Sequence, residues 1–439
     1  MKKRKLLLSS ILAVTVAGVG GYRIWKKRRE QIQNRTSSAK ALSTHKNALI
    51  VTSVASMVDQ FILPSIKLLV EMGYNVDVAT NFVNGSTCSD EKIAELIRTL
   101  DEMGVDCYHI DFDRKVMDVR ADIKSFKQLD AVVCGLAEPI STRHHHIQAE
   151  GDNPYDMIHS HSPIGGVVGR IIARKYKIRS IYTAHGFHFY DGAPVKNWII
   201  FYPIERGLSW ITDVLITINK EDYKRASEEF HAKKTVYVPG VGVDVEKYKN
   251  LKIDRDAKKT ELGLKDGDLI LLSIGELNEN KNHRVVVEAL GLMDKAECVH
   301  LHYFIAGKDA GQGDALMKLA EEKSVNLHLL GFRTDIPELL KTADVFILPS
   351  IREGLNVGLM EAIASGLPVI ASDIRGNRDL IFFENEGCLF NPSDSRMLCT
   401  TIKRIILDNS NSHHHYNDRI QLFSEVMVCK KMRNIYTCQ

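Results

Sequence analysis

The stretch LPSIREGLNVGLMEAIASGLPVIAS, from Leu348 to Ser372, decides the fold class of this chain. An apolar strand ends at its start, and a glycine-containing turn leads into a helix expected roughly from Asn356 to Ser365. Gly366 and Pro368 end this helix before a second apolar strand begins. A strand, a helix and a strand in such close succession form a right-handed crossover between parallel strands. The stretch therefore predicts a parallel α/β sheet.

The same alternation of short apolar runs and amphipathic segments continues through the chain from Lys46 onward. Strands are expected at 47–52, 74–80, 131–134, 157–160, 180–184, 214–218, 269–274, 302–306, 325–329, 345–348 and 369–371, and helices at 63–72, 90–103, 167–175, 284–292 and 315–323. A turn-rich break, Pro239-Gly240-Val241-Gly242, interrupts the alternation. The sequence thus predicts two Rossmann-like α/β domains, 46–238 and 239–410, and a tail, 411–439, that packs back on the first domain.

Basic residues are concentrated at the amino terminus, where residues 1–46 carry 12 Lys and Arg and one acid, against 46 and 54 in the remainder. This distribution argues against a nucleic-acid-binding face. The stretch from Leu6 to Trp25 is just long enough to span a bilayer, with basic clusters on both sides. We expect residues 1–45 to be a single membrane anchor and linker, with the catalytic domains in the cytoplasm. A cleaved signal peptide is the alternative, since Thr15-Val16-Ala17 resembles a cleavage site.

Two glutamates stand out within the stretch that decides the fold. Glu361 is the only charged residue between Glu353 and Asp373, and it shares an apolar helix with Val357 and Ile363. A carboxylate in such surroundings needs hydrogen-bond donors, which the hydroxyls of a ribose could supply. Glu353 lies where the backbone N–H groups of a helix N-terminus suit phosphate or sugar oxygens. Alternatively, Glu353 is a solvated loop acid and a neighbouring Arg satisfies Glu361.

A second loop, SIGELNENKNH from Ser273 to His283, directly follows an apolar strand. Gly275 permits a tight turn there, and Lys281 near the start of the next helix suits a diphosphate. By itself this signal is weak, because a lysine in an Asn-rich loop is commonly just solvated.

Together the two loops, with a Glu-x7-Glu spacing, resemble the retaining glycosyltransferases of family 4, which have the GT-B fold with two Rossmann-like domains facing a cleft. The resemblance covers nearly all of the chain from Lys46 onward and includes HGFHFYDGAPVKNW at 185–198. It implies transfer of a hexose or N-acetylhexosamine from a nucleotide sugar, such as a UDP-sugar, to a lipid-linked saccharide in capsule, exopolysaccharide or O-antigen synthesis. It implies no metal or other cofactor.

The resemblance also implies roles for particular residues. Glu353, His185 and Lys281 would be catalytic, with Lys281 on the diphosphate and His185 facing the donor sugar. Glu361 would bind the ribose of the donor. The rest of the donor site would comprise Gly275, Gly354, Leu355, Asn356, Val357, Phe332 and Arg333. The acceptor side would comprise His161, His188 and Tyr190.

Two departures from the family pattern bear on this assignment. Glu276 stands where many members carry an Arg that pairs with the diphosphate, and the family's Gly-Gly loop after the first strand is replaced by Ser53 to Met57. These departures motivate an alternative function, that of a non-catalytic sugar-nucleotide-binding or scaffold subunit. A sugar-nucleotide epimerase on the same fold is a further alternative. The His tracts 144–146 and 413–415 lie in polar sequence without ligand spacing, which favours solvated loops over a metal site.

Overall fold

The computed structural model describes residues 46–84, 88–113, 119–141, 155–294, 298–381, 387–409 and 418–437. The chain separates into two compact units. The first comprises the residues up to Val238 together with those from Cys429, and the second runs from Pro239 to Val428. The expected second domain, 239–410, is therefore shorter than the unit that the structure contains. The expected membrane anchor and both His tracts lie outside the described residues.

The first unit contains a seven-stranded sheet with helices between its strands. Its strands are β1 (Lys46–Val51), β2 (Tyr74–Thr80), β3 (Asp106–His109), β4 (Met157–His161), β5 (Arg179–Ala184), β6 (Val214–Thr217) and β7 (Lys234–Tyr237). Its helices are α1 (Ala55–Met57), α2 (Leu63–Glu71), α3 (Asp90–Glu102), α4 (Val119–Val133), α5 (Pro163–Tyr176), α6 (Val195–Ser209) and α7 (Lys220–Glu229), with a π-helical turn at Val58–Ile62.

All strand pairs of this sheet are parallel, in the order β3-β2-β1-β4-β5-β6-β7. The order reverses between β1 and β4, which is the point where doubly wound sheets bind ligands beyond the carboxyl ends of their strands. The loops after these two strands are joined, because the Ser53 N–H donates to Ser162 Oγ at 3.1 Å. Two glycines of α5 let that helix lie close to the sheet, since a Cβ at Gly166 would lie 2.4 Å from the Tyr182 ring and one at Gly169 would lie 2.2 Å from Ser160 Oγ.

One predicted strand is wrong. Residues 131–133 of this apolar AVVC run form the end of α4, and Cys134 lies in the turn that follows. Leu129, Val132 and Val133 of α4 are buried at helical spacing in the core of the first unit. A run of four apolar residues fits either a strand or the buried side of a helix, so its periodicity does not separate them. The strand of this region is β3, whose short sequence DCYH carries little apolar signal.

The second unit contains a six-stranded parallel sheet, in the order β10-β9-β8-β11-β12-β13. Its strands are β8 (Leu269–Ile274), β9 (Leu301–Ala306), β10 (Asn326–Gly331), β11 (Val345–Leu348), β12 (Val369–Ser372) and β13 (Cys388–Phe390). Its helices are α8 (Val245–Asn250), α9 (Arg255–Glu261), α10 (His283–Leu290), α11 (Gly313–Lys323), α12 (Ile336–Thr342), α13 (Val357–Ala364), α14 (Arg375–Leu380) and α15 (Ser395–Asn409), followed by a 3-10 helix at Asp418–Phe423. The final helix, α16 (Glu425–Thr437), carries the chain into the first unit.

The order of the second sheet also reverses once, between β8 and β11. The loop after β8 holds Lys281, and the loop after β11 holds Glu353. The helix expected from Asn356 to Ser365 is α13, which agrees with the prediction to within one residue at each end. Topology thus places the two loops singled out in the sequence side by side at a ligand-binding position.

The helices of the described residues are too short or too polar to cross a bilayer.

Candidate active site

A lysine and a glutamate form an ion pair at the switch point of the second sheet. Lys281 Nζ lies 2.7 Å from Glu353 Oε1, and the two side chains are 19% and 14% exposed. Asn282 connects the surrounding loops, because its amide donates to the carbonyls of Pro349 at 3.1 Å and Pro392 at 2.9 Å. Glu353 is therefore not a solvated loop acid, and the Lys281 ammonium, with three donors, can hold an anion as well as this carboxylate.

Closely packed glycines lie against the loop that holds Lys281. A Cβ at Gly275 would lie 2.9 Å from Lys281 Cε, so the lysine stem passes directly over this glycine. A Cβ at Gly307, in the loop after β9, would lie only 1.9 Å from the Gly275 carbonyl oxygen. Gly307 also donates its N–H to the Gly331 carbonyl at 2.8 Å. Backbone contact without side chains thus links the loops after β8 and β9 to the carboxyl end of β10.

We expect Gly307→Ala to lower the free energy of unfolding of the second unit by about 1 to 3 kcal/mol. The added methyl group would overlap backbone atoms, which cannot move aside as a flexible side chain would. Thermal unfolding of the purified variant measures the loss. Gly207→Ala is the matched control, because nothing lies within 4 Å of a Cβ at that position. A Gly307→Ala protein that melts with the wild type would contradict the proposed packing.

The loop after β11 presents the N-terminus of α13. The Asn356 side chain caps the helix by accepting from the Leu359 N–H at 2.9 Å. Leu355 is buried, which anchors the loop to the core of the second unit. Behind the loop, Arg375 Nε donates to the Glu353 carbonyl at 3.2 Å, and Gly376 approaches the Gly354 carbonyl so closely that a Cβ there would lie 2.3 Å from it. The first N–H groups of the helix, including that of Val357, are those that a phosphate can accept from.

Glu361 is largely buried on α13, and its hydrogen-bond donor is a tyrosine. Tyr248 of α8 donates its hydroxyl to Glu361 Oε1 at 2.6 Å. Burial raises the pKa of the Glu361 carboxyl, while this hydrogen bond and the nearby Lys247 lower it. The sequence indicated that the carboxylate needs a donor, and it suggested an Arg or a ribose. Tyr248, 113 residues away in sequence, was not foreseen, because α8 carries no motif that identifies it.

The loop after β10 contains Phe332 and Arg333, two residues of the expected donor site. Phe332 is 74% exposed. The Arg333 guanidinium is occupied by Asp335 at 2.6 Å and Glu261 at 2.9 Å. Glu276, the residue with reversed sign, accepts from the Asn278 amide at 3.2 Å.

Histidines gather at the carboxyl ends of β4 and β5 in the first unit. His161 Nδ1 lies 3.0 Å from His185 Nε2, so one of the two rings donates to the other. His159 is held by the Thr183 hydroxyl at 2.8 Å and the Tyr436 hydroxyl at 3.0 Å. Burial lowers the pKa of His159 to about 3 and that of His185 to about 4, and it lowers the pKa of His161 as well. The three rings are therefore neutral at pH 7.

The other expected acceptor-side residues lie in the loop between β5 and α6. The His188 ring stacks on Phe201 with 4.6 Å between ring centroids. The Tyr190 carbonyl accepts from the Ala193 N–H at 2.8 Å, which closes a turn just before the helix. His188 and Tyr190 therefore share one loop with His185, and all three lie beyond the carboxyl end of β5.

Among the described residues, no group of three or more His, Cys, Asp or Glu side chains is arranged to hold a metal ion.

Family models of glycosyltransferases match the residues of both units. Residues 65–247 match the family model for Glycosyltransferase Family 4, and residues 254–422 match that for Glycosyl transferases group 1. The chain is 34% identical over 367 residues to "Putative glycosyltransferase EpsD" of Bacillus subtilis (strain 168), covering 82% of this chain and 87% of that protein. It is 30% identical over 294 residues to the UDP-Gal:alpha-D-GlcNAc-diphosphoundecaprenol alpha-1,3-galactosyltransferase of Escherichia coli, covering 64% and 75%.

Solved structures are similar to this chain over about nine tenths of its length. Anabaena Alr3699/HepE in complex with UDP-glucose has a TM-score of 0.68 at 17% identity, covering 90% of this chain and all of that one, 100%. At this identity the likeness establishes the fold, which is GT-B with two Rossmann-like units. The two family models and the extent of the match to the Bacillus protein establish the rest: this chain is a glycosyltransferase and belongs to glycosyltransferase family 4.

Proposed function

We propose that this glycosyltransferase moves a hexose or N-acetylhexosamine from a UDP-sugar to a lipid-linked saccharide in surface polysaccharide synthesis, with retention at the anomeric carbon. The observation that carries the proposal is the Lys281–Glu353 pair at the switch point of the second sheet, with Glu361 on the helix that follows. The printed names of the relatives support it, since one acts on UDP-Gal and a diphosphoundecaprenol-linked sugar and one fold neighbour binds UDP-glucose.

Departure of the nucleotide puts negative charge on the β-phosphate. Lys281 and the N–H groups at the start of α13 would stabilise that charge electrostatically without a metal ion. The bond from the anomeric carbon to the phosphate oxygen breaks, and a bond to the acceptor oxygen forms on the same face. The acceptor hydroxyl passes its proton to the departing phosphate. Glu353 lies beside Lys281, where it can orient the lysine and hydrogen-bond the donor sugar.

Glu361 would bind the ribose of the donor. Its Oε1 atom is held by Tyr248, which leaves Oε2 as the acceptor for a ribose hydroxyl. On the acceptor side, neutral His185 would face the sugar, with His161 fixing its ring orientation. His188 and Tyr190 would contact the saccharide of the acceptor.

The membrane-borne acceptor agrees with the amino-terminal sequence. We propose that Leu6 to Trp25 anchors the protein in the cell membrane, with both catalytic units on the cytoplasmic side where nucleotide sugars are made. Enzyme and acceptor would then diffuse in the same plane.

The test is transfer of label from radioactive UDP-galactose, UDP-glucose and UDP-N-acetylglucosamine to membrane lipids. We expect one donor to label the lipid fraction with wild-type protein, and Glu353→Gln to lose that labelling. Glu322→Gln, at an exposed position on α11, is the matched control. The anomeric coupling constant in the product tests retention. Donor turnover without any labelled lipid would instead indicate an epimerase, and binding without turnover a non-catalytic subunit.

We expect Tyr248→Phe to raise KM for the donor about tenfold while changing kcat little. The substitution removes one hydrogen bond to a carboxylate, worth about 1.5 kcal/mol, and so leaves Glu361 less well oriented for the ribose. Steady-state kinetics at varied donor concentration measures the effect. Tyr223→Phe, at an exposed tyrosine of the first unit, is the control. An unchanged KM would show that Glu361 does not bind the donor.

A further inference from the structure

Helix α6 of the first unit turns an apolar face toward solvent. Val195 and Ile199, one helical turn apart, are 72% and 54% exposed, and Pro203 follows one turn later. Trp210, which caps the carboxyl end of the helix, is 70% exposed. At 100° per residue these four side chains fall within one 80° arc. We call this arc the outer face of α6.

The exposed charges that α6 itself carries have one sign. Lys196 and Arg206 are exposed beside it. The single acid of the helix, Glu205, is buried and accepts from Arg170 Nη2 at 2.9 Å and from the Tyr182 hydroxyl at 3.1 Å. The outer face is thus apolar and basic, without an acid, which is the composition of helices that lie in a membrane interface.

Other side chains of α6 already provide the packing of this helix against the core. Trp198, Phe201 and Tyr202 pack against the aromatic cluster that contains Phe189 and Phe230. The Phe189 ring lies 5.4 Å from Tyr202 and 5.7 Å from Trp198, between centroids. The apolar residues of the outer face therefore do not contribute to this core, and their exposure needs another explanation.

A basic groove begins where the outer face ends. It has a volume of about 860 Å³ and lies at the amino ends of the strands of the first sheet, with Trp210 in its wall. Its cations are Lys46, Arg174, Lys177, Arg179, Lys233 and Lys234. Its two acids are Asp156, which accepts from the Asn47 N–H at 2.7 Å, and Asp213, which accepts from the Ser180 N–H at 2.7 Å and pairs with Lys233 at 2.6 Å, so six cations face two acids. The groove is therefore suited to anions such as phosphate.

We propose that the outer face of α6 and the basic groove together dock this enzyme on an anionic phospholipid bilayer. The apolar side chains enter the interface, Trp210 lies at headgroup level, and lipid phosphates occupy the groove. This inference deepens the proposed function and rests on it for the membrane-borne acceptor. The chain also enters β1 at Lys46 in the groove, directly after the residues expected to hold the anchor.

Docking through α6 would explain how the active site reaches a lipid-linked acceptor. The helix is 15 residues long, which corresponds to about 22 Å, so it runs the height of the sheet. It begins directly after the loop that holds His188 and Tyr190. With the helix axis in the plane of the interface, that loop lies at the level of the lipid headgroups, where the diphosphate-linked sugar of the acceptor is found.

A second copy of the chain is the competing occupant of this surface. A two-fold contact through α6 would place identical faces together, so Lys196 and Arg206 of one copy would meet those of the other. Like charges at such a contact oppose association. Anionic lipid has the complementary charge, which is why we commit to it.

Quenching of Trp210 by brominated lipid tests the proposal with the full-length protein in vesicles. The signal of Trp210 is the emission of the wild type minus that of Trp210→Phe, which removes the contributions of Trp25 and Trp198. We expect quenching in brominated phosphatidylglycerol and little in brominated phosphatidylcholine. Arg174→Gln with Lys234→Gln should lower the ratio of docked to undocked protein about thirtyfold, at about 1 kcal/mol per cation. Val426→Glu, at a 77% exposed apolar residue of the second unit, should leave the quenching unchanged.

Trp210 emission that is unaffected by anionic bilayers would overturn the proposal, as would quenching that the double variant does not reduce. A blue shift of Trp210 with rising protein concentration in lipid-free detergent would also overturn it, in favour of self-association. The vesicles contain no sugar nucleotide, so this result is independent of transfer. A docked protein without transferase activity would contradict only the proposed function, and transfer without docking only this inference.

Discussion

Replacing Lys281 by glutamine is expected to lower kcat for sugar transfer by about 10²- to 10³-fold. The lysine is the one residue of the ion pair that can meet the charge developing on the departing β-phosphate. Glutamine keeps much of the length and polarity of the side chain but removes the positive charge. Steady-state transfer with saturating donor measures the loss, and Lys318→Gln on the exposed side of α11 is the control.

A structural role for Lys281 makes a different prediction. If the lysine only neutralised Glu353, which lies 2.7 Å away and is 14% exposed, removal of both charges would restore activity. We therefore expect Lys281→Gln with Glu353→Gln to be no more active than either single variant. Recovery of kcat in the double variant would show that Lys281 maintains the site without contacting the phosphates. Full activity of Lys281→Gln would show that the Lys281–Glu353 pair takes no part in catalysis.

Lowering the pH from 7 to 5 is expected to destabilise the first unit by about 2 kcal/mol for each of two buried histidines, His159 and His185. Burial depresses their pKa values to about 3 and about 4, from the ordinary value of 6.5. Between those values the unfolded chain binds protons that the native protein does not. Stability is therefore fully present above pH 6.5 and is lost as the pH falls below it.

Amide hydrogen exchange in β4 and β5 measures this loss directly for the first unit, after correction for the intrinsic effect of pH. His159→Gln should lower the slope of stability against pH by about one proton, because glutamine does not titrate. Exchange protection that is constant from pH 7 to 5 would show that these rings are charged, or solvated, in the native protein.

Local patterning carried most of the fold prediction. The strand Val345–Leu348 and the strand Leu269–Ile274 were predicted with the bounds that the structure shows, since each is a largely apolar run followed by a loop. Prediction of 131–134 as a strand was wrong, and β3, β7 and β13 were not predicted. These errors concern segments of three or four residues, in which periodicity is too short to separate a strand from a helix.

The motif residues of the donor side were identifiable because their neighbours in sequence set their environment. Glu361 is conspicuous as a lone acid among apolar residues, and Lys281 and Glu353 each follow a strand end. The donor of Glu361, Tyr248, was not identifiable, because it approaches from a helix 113 residues earlier. For the same reason no pattern indicated that His159 would bond Tyr436, 277 residues away.

The sequence alone determined two parallel α/β units, the loops that carry the chemistry, and the family, because these depend on periodicity and on residues close together in the chain. Only the tertiary structure decided which side chains meet. The Lys281–Glu353 pair, the Tyr248–Glu361 hydrogen bond, the contact of Gly307 with Gly275 and the basic groove beside α6 all depend on how the fold brings separate segments together. The physical reason is that these contacts join segments distant in sequence, and local propensities carry no information about such pairs.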